Sequence, residues 1–250
     1  MAWQFSIGIL QAFHDSGPTL SPMVVYLARL DWLRDKALTH CALLSRHERS
    51  RTALFRGPLL ANRYATKCVV RRLILGEVTG TDPGALEFSI NECGKPHLTK
   101  HPEIGINSSD ADDMFLFAVS KTSAHVGVDI ERVNAQADHS AVVQMCFCHE
   151  ERVEHGNYSR DARTLSFFRT WSRKEAYIKA LGGGLSLPLQ EIRVSTSPHV
   201  VASNALITHL SEVDVAGRYA LSDLAVDMPF VACAAYRYSS GPACLREVVL

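Results

Sequence analysis

The chain has 250 residues, 47% of them hydrophobic and 21% charged, and its 26 Lys or Arg balance 26 Asp or Glu to a formal net charge of zero. That composition is globular, long enough for one large domain or two small ones, and it excludes a disordered or collagen-like chain and any global field towards nucleic acid. The balance hides an asymmetry. Over residues 46–72, Arg46, Arg49, Arg51, Arg56, Arg63, Lys67, Arg71 and Arg72 meet one acid, Glu48, whereas residues 101–131 hold six acids against Lys121. This order suits a site for phosphate and a divalent cation, and it also suits two solvated faces.

In chain order, residues 1–21 read as irregular and Met23–Leu30 as a strand. From Ala42 the pattern turns helical, with Ser45 and Glu48 at capping-box spacing, and a longer helix is expected over Arg63–Leu75. Leu86–Ile90, Ile104–Asn107, Phe115–Ser120 and His125–Ile130 read as strands, with a hairpin connection at Asp110–Asp113. His139–Cys148 reads as a helix and Leu165–Leu181 as the central one. Ser172 has the character of an N-cap, and three glycines at 182–184 stop the helix. Further strands are expected near 191–195, 205–210, 218–221 and 231–238. Helix followed by strands occurs twice, which predicts an α+β fold of two pseudo-symmetric halves, residues 1–127 and 128–250. Each half is expected to be a small antiparallel sheet with a long helix, and the active site to lie in the cleft between them.

The seven cysteines (41, 68, 93, 146, 148, 233 and 244) form no CxxC pair and read as free thiols of a reducing compartment. The N-terminus has no basic leader region and no apolar run reaches membrane-spanning length, so the expected location is cytoplasmic, with no membrane and no nucleic-acid partner.

Chemistry concentrates in two stretches. In Val126-Gly127-Val128-Asp129-Ile130-Glu131, a strand turns Asp129 and Glu131 to one face, where they repel unless a cation lies between them. Carboxylates, water and phosphate oxygens are the usual setting for Mg²⁺, although a lone pair of this kind also suits a solvated strand face. On the central helix Glu175 and Lys179 stand one turn apart. By themselves they read as an exposed salt bridge worth ~0.3–0.5 kcal/mol. With Asp129 and Glu131, Glu175 supplies a third carboxylate and Lys179 a phosphate-facing cation.

These residues resemble the 4′-phosphopantetheinyl transferases that activate polyketide and non-ribosomal peptide synthases. Val126–Glu131 is similar to the family's (V/I)G(V/I)D(I/L)E motif. Trp171, Lys174, Glu175, Ala176, Lys179, Gly182, Gly184 and Leu185 are similar to its W-x-x-K-E-(A/S)-x-x-K-x-x-G-x-G-L motif. The resemblance implies transfer of the phosphopantetheine arm of coenzyme A to a serine of an acyl or peptidyl carrier protein, releasing adenosine 3′,5′-bisphosphate. It implies Mg²⁺ held by Asp129, Glu131 and Glu175, and Lys179 on phosphate. Lys95 and Arg63 are the implied coenzyme A phosphate contacts, with Arg46 and Arg49 as further candidates. Glu151 is the implied general base, so Glu151, Glu175 and Lys179 form the expected catalytic group. The carrier is expected to dock near residues 133–165, at Arg152, Arg160 and Arg163, on a monomeric enzyme.

One departure stands in the way of a simple carry-over. The family has F-N-x-S-H where this chain has Ile106-Asn107-Ser108-Ser109-Asp110. Ser109 keeps its expected coenzyme A contact, but Asp110 replaces a phosphate-facing histidine. It turns away, joins the metal shell, or weakens coenzyme A binding. Two rival readings follow: a non-catalytic homologue that only binds coenzyme A or the carrier, and a metal-dependent phosphodiesterase.

Overall fold

Two 22-residue helices and two sheets dominate the computed structural model, which describes residues 8–10, 23–92, 94–182, 188–200, 205–209, 219–237 and 243–249. The chain opens with β1 (Gly8–Leu10), β2 (Met23–Arg29), α1 (Leu30–Leu38), α2 (Arg46–Ala53) and the long α3 (Pro58–Thr79). Then come β3 (Phe88–Ile90), β4 (Pro96–Leu98), β5 (Gly105–Ala111), β6 (Met114–Ser120) and β7 (Val126–Arg132). Two short helices, α4 (Ser140–Cys146) and α5 (His149–Gly156), precede the second long one, α6 (Arg160–Leu181). Six strands follow: β8 (Ile192–Arg193), β9 (Ala205–Leu206), β10 (Thr208–His209), β11 (Tyr219–Leu224), β12 (Phe230–Arg237) and β13 (Ala243–Val249). Among the described residues no helix is long and apolar enough to cross a membrane.

The first sheet has the order β1-β13-β2-β6-β5 and the second β7-β12-β11-β9, with β3–β4 and β8–β10 as separate pairs. The two larger sheets face each other, and each carries a long helix on its outer side. Strand alternation produces this layering. On β2 and β6, Met23, Val25, Leu27, Met114, Leu116 and Ala118 point inward to meet Val126, Val128 and Ile130 of β7 and Ala232, Ala234 and Tyr236 of β12. The intervening Tyr26, Ala28, Phe115 and Phe117 face α3 at Val70, Ile74 and Leu75. In the second sheet Cys233, Ala235 and Leu221 face Ala176, Tyr177 and Ala180 of α6. Fully burying each larger apolar side chain contributes about 1.5–3 kcal/mol.

The α+β expectation holds, with specific departures. β13, a strand the sequence reading does not include, lies in the first sheet between β1 and β2, parallel to β2. That sheet is therefore mixed rather than purely antiparallel, and the division at residue 127 does not follow the sheets. Ser172 is no N-cap: α6 begins twelve residues earlier, and the buried Ser172 hydroxyl donates to the Asp129 carbonyl at 3.3 Å. Gly182 does end α6, with a left-handed φ of 77°, while Gly183, Gly184 and Leu185 lie outside the described residues. α1 and β4 carry no strong period and were not expected.

Ser45 and Glu48 form the expected capping box at the start of α2. Glu48 also goes further, pairing at 2.7 Å with both Arg71 and the buried Arg72 of α3.

Candidate active site

The site lies where β5 of the first sheet, β7 of the second and α6 converge. Gly127 makes the approach possible. A Cβ built there would stand 2.0 Å from the Ala176 carbonyl oxygen, so any side chain would push α6 off β7. On β7, Val126, Val128 and Ile130 enter the inter-sheet core, which leaves Gly127, Asp129 and Glu131 on the α6 side. β5 is fixed against β7 by Asn107, whose Oδ1 accepts from the Val128 amide at 2.9 Å, and by Ser109, whose hydroxyl donates to Asp129 Oδ1 at 3.0 Å.

Four charged side chains meet here. Lys179 Nζ lies 2.6 Å from Asp129 Oδ1 and 3.2 Å from Ser109 Oγ. The expected intrahelical Glu175–Lys179 bridge does not form among the described residues, because the lysine reaches across to β7 instead. Glu131 Oε1 accepts from the Trp171 indole N–H at 3.0 Å. Burial first, and then the charge of Asp129, pushes the Glu131 carboxyl up to about 7. Glu175 is raised as well, by burial against the opposing pull of Lys179. Asp129 Oδ2 is buried and has no hydrogen-bond partner among the described residues.

These features suit a divalent cation. Three carboxylates and one ammonium leave a net charge of two minus, which one divalent ion cancels, and a buried oxygen without a donor suits a cation ligand. As the side chains stand, no three His, Cys, Asp or Glu groups among the described residues converge closely enough to enclose a metal, Lys179 being the cation seated on Asp129. The donor set fits a hard, oxygen-preferring ion and needs side-chain adjustment to close around it.

The other expected contacts fall differently. Lys95 Nζ does not point at open cleft: it donates to the carbonyls of Lys179 at 2.8 Å and Val126 at 3.0 Å, with those of Ala124 and Ala180 at 3.4 and 3.5 Å. It caps the end of α6 and stitches the β3–β4 turn to the second sheet. Burial lowers its pKa to about 8. A cavity of about 200 Å³ adjoins it, lined by Asn91, His97, His125, Leu181 and Gly182 among others. Arg63 forms a two-pronged pair with Asp31, at 2.6 and 2.9 Å. Arg49 donates to the Leu44 carbonyl, and Arg46 is exposed on α2. Asp110 turns to α3, where Lys67 Nζ lies 2.7 Å from its Oδ1, so it joins neither the carboxylates nor the cavity.

Glu151 is not brought to the site by any described contact. It has no solvent exposure: Oε1 accepts from the Val194 amide, while Oε2 accepts from the Cys148 amide and pairs with Lys174, each at 2.8 Å. A general base needs an accessible lone pair within hydrogen-bond reach of the hydroxyl it deprotonates. Glu151 instead anchors α5 and residues 192–194 to α6. Of the expected docking cations, Arg152 and Arg163 are engaged with backbone carbonyls of residues 144, 147, 156 and 158, and Arg160 is exposed.

Trp171 is the contributor at the site that the sequence reading places in the core instead, and Lys67 is the partner that draws Asp110 away from it. Trp171 reads as core from its stripe with Phe167 and Ile178, yet it stands four residues before Glu175, on the same helix face, which is the signal that could have found it.

The sequence model of the 4′-phosphopantetheinyl transferase superfamily matches residues 125–225, the segment from β7 through β11. The 4′-phosphopantetheinyl transferase HetI of Nostoc sp. is 31% identical over 160 residues, covering 63% of this chain and 67% of the relative. A 4′-phosphopantetheinyl transferase of Bacillus subtilis is 29% identical over 161 residues, 64% of this chain and 70% of its own. The transferase Sfp of Bacillus subtilis strain 168 is 29% identical over 134 residues, 54% and 58% respectively.

Proposed function

The chain belongs to the 4′-phosphopantetheinyl transferase superfamily, and from that premise we propose that it transfers the phosphopantetheine arm of coenzyme A to a serine of an acyl or peptidyl carrier protein. The observation that carries the reading is the grouping of Asp129, Glu131 and Glu175 around Lys179, with Asp129 Oδ2 buried and unpartnered. In the reaction the serine oxygen bonds to the phosphorus that bears the arm, the pyrophosphate P–O bond breaks, the serine proton passes to water, and adenosine 3′,5′-bisphosphate departs.

Asp129, Glu131 and Glu175 would hold Mg²⁺. When bound, that ion would supply polarisation of the attacked phosphoryl group and charge neutralisation on the leaving bisphosphate. The chain's own residues orient the parts. Trp171 fixes the Glu131 carboxylate, Ser109 fixes Asp129, and Lys179 offers its ammonium to phosphate. The cavity beside Lys95 is too small for coenzyme A whole, so it takes one end of the molecule. Lys95 shapes that end's seat through the carbonyls it gathers, and Glu151 acts at a distance by holding Lys174, the neighbour of Glu175. The carrier docks at residues 133–165, where Met145 and Val153 are exposed with Arg160.

The decisive experiment is mass spectrometry of several apo carrier proteins incubated with the protein, coenzyme A and Mg²⁺. A gain of one phosphopantetheine arm on a carrier is the expected result. Bound coenzyme A with no gain on any carrier supports the binding homologue instead, and coenzyme A cleavage without a carrier supports the phosphodiesterase.

A further inference from the structure

We infer that Lys179 is an internal counter-ion that competes with the divalent cation for Asp129, so that metal binding and release of this lysine towards phosphate are coupled. The inference rests on the transferase reading above. Two geometric observations carry it. First, Lys179 Nζ sits 2.6 Å from Asp129 Oδ1 and 3.2 Å from Ser109 Oγ, on a carboxylate whose side chain is only 4% exposed. Second, helix spacing offers Lys179 a nearer partner in Glu175, four residues before it, yet the lysine makes its ion pair across the cleft with Asp129. The ammonium therefore seats itself on the deeply buried Asp129, and Glu131 and Glu175 have no ion pair among the described residues.

A divalent ion on Asp129 must approach a carboxylate oxygen to ~2.0–2.1 Å, and it then stands within a few ångströms of any ammonium left there. Two cations at that separation repel in a low-dielectric site far more than in water. Lys179 can yield. Its side chain is 27% exposed, it stands in the last turn of α6 before the Gly182 cap, and its flexible stem lets the ammonium swing outward. Its natural second seat is an anionic oxygen of the phosphate brought by coenzyme A. By linkage, a phosphate that draws Lys179 off Asp129 tightens metal binding, and a metal that displaces Lys179 tightens phosphate binding. Lys179 thus does more than contact phosphate: it neutralises Asp129 until both partners arrive.

The test measures Mn²⁺ affinity of the full chain by electron paramagnetic resonance without coenzyme A, for wild type, Lys179→Met and Lys179→Gln. The glutamine amide can still donate to Asp129, which protects folding where methionine leaves a bare buried carboxylate. Both variants are expected to bind Mn²⁺ about tenfold or more tightly than wild type, because the competing charge is gone. Unchanged or weaker binding in folded K179Q overturns the inference. If wild type transfers the arm and binds Mn²⁺ but neither variant binds tighter, this inference alone falls. If wild type neither binds Mn²⁺ nor transfers the arm, the transferase reading falls and takes it down.

Discussion

Helix α6 carries two lysine–carboxylate pairs five residues apart, and they are opposites. Lys174 and Glu151 lie 2.8 Å apart with no exposure on either side. Glu151 also takes the amides of Cys148 and Val194, and Lys174 the carbonyls of Leu189 and Ile192. Nothing remains on that pair for a ligand. Lys179 and Asp129 are as close, at 2.6 Å, but Asp129 Oδ2 is left without a donor and two further carboxylates crowd the pair. The same chemical pair therefore serves structure where its hydrogen bonds are complete and serves a site where they are not.

Breaking the closed pair has the largest expected effect. Lys174→Met strands a buried Glu151 charge and should cost ~3–5 kcal/mol in chemical denaturation, whereas Lys174→Met combined with Glu151→Leu should recover much of the loss. If Glu151→Gln instead left stability unchanged, abolished transfer and shifted its pH profile, Glu151 would be a base after all and the contrast would collapse.

The open pair should respond in the opposite sense. Glu131→Gln removes a carboxylate whose charge is disfavoured by burial and by Asp129, so without divalent ions the variant should be more stable at neutral pH, on the order of 1 kcal/mol. Transfer should fall by ~100-fold or more, as when a preorganised charge-stabilising group is lost. A variant less stable than wild type in the presence of a chelator would mean that the crowded carboxylates are not under electrostatic strain. Trp171→Phe is a milder probe of the same side. It keeps the stack on Phe167 and loses the N–H to Glu131, and transfer at limiting Mg²⁺ should drop by ~10-fold. An equal drop at saturating Mg²⁺ would argue that Trp171 does not act through the metal ligand.

The difference between the two pairs explains what could be read from sequence. Asp129, Glu131, Glu175 and Lys179 sit in short motifs whose strand and helix periods fix their faces, so the elements that carry them and the faces they share were legible. So were β2, β5, β6 and the α3 and α6 helices, all of them long or strongly periodic. Satisfaction was not legible. Glu151 and Lys95 are defined by backbone groups at residues 194, 126 and 179, far away in sequence, and only the fold shows that those partners consume them. Asp110 is the same case: its pairing with Lys67 depends on how α3 crosses β5. The return of β13 to the first sheet is likewise a long-range pairing that no local pattern announces.

Lys95 offers the finest test, because it is a lysine held by carbonyls with no carboxylate partner among the described residues. Burial brings its pKa from 10.5 to about 8 in the folded protein. Between those two values the unfolded chain binds more protons than the folded one, so this group adds stability as pH rises from about 8 towards 10.5 and adds none below. Lys95→Met removes the titration. The stability difference between wild type and variant should therefore widen in favour of wild type across that window, on the order of 1 kcal/mol, with every other titrating group cancelling in the subtraction. A flat difference would mean that the α6 carbonyls replace the lost water fully and keep the ammonium charged. In that case Lys95 belongs with Lys174 among the completed contacts. A rising one places it between the two pairs, anchored by the fold yet still strained by it.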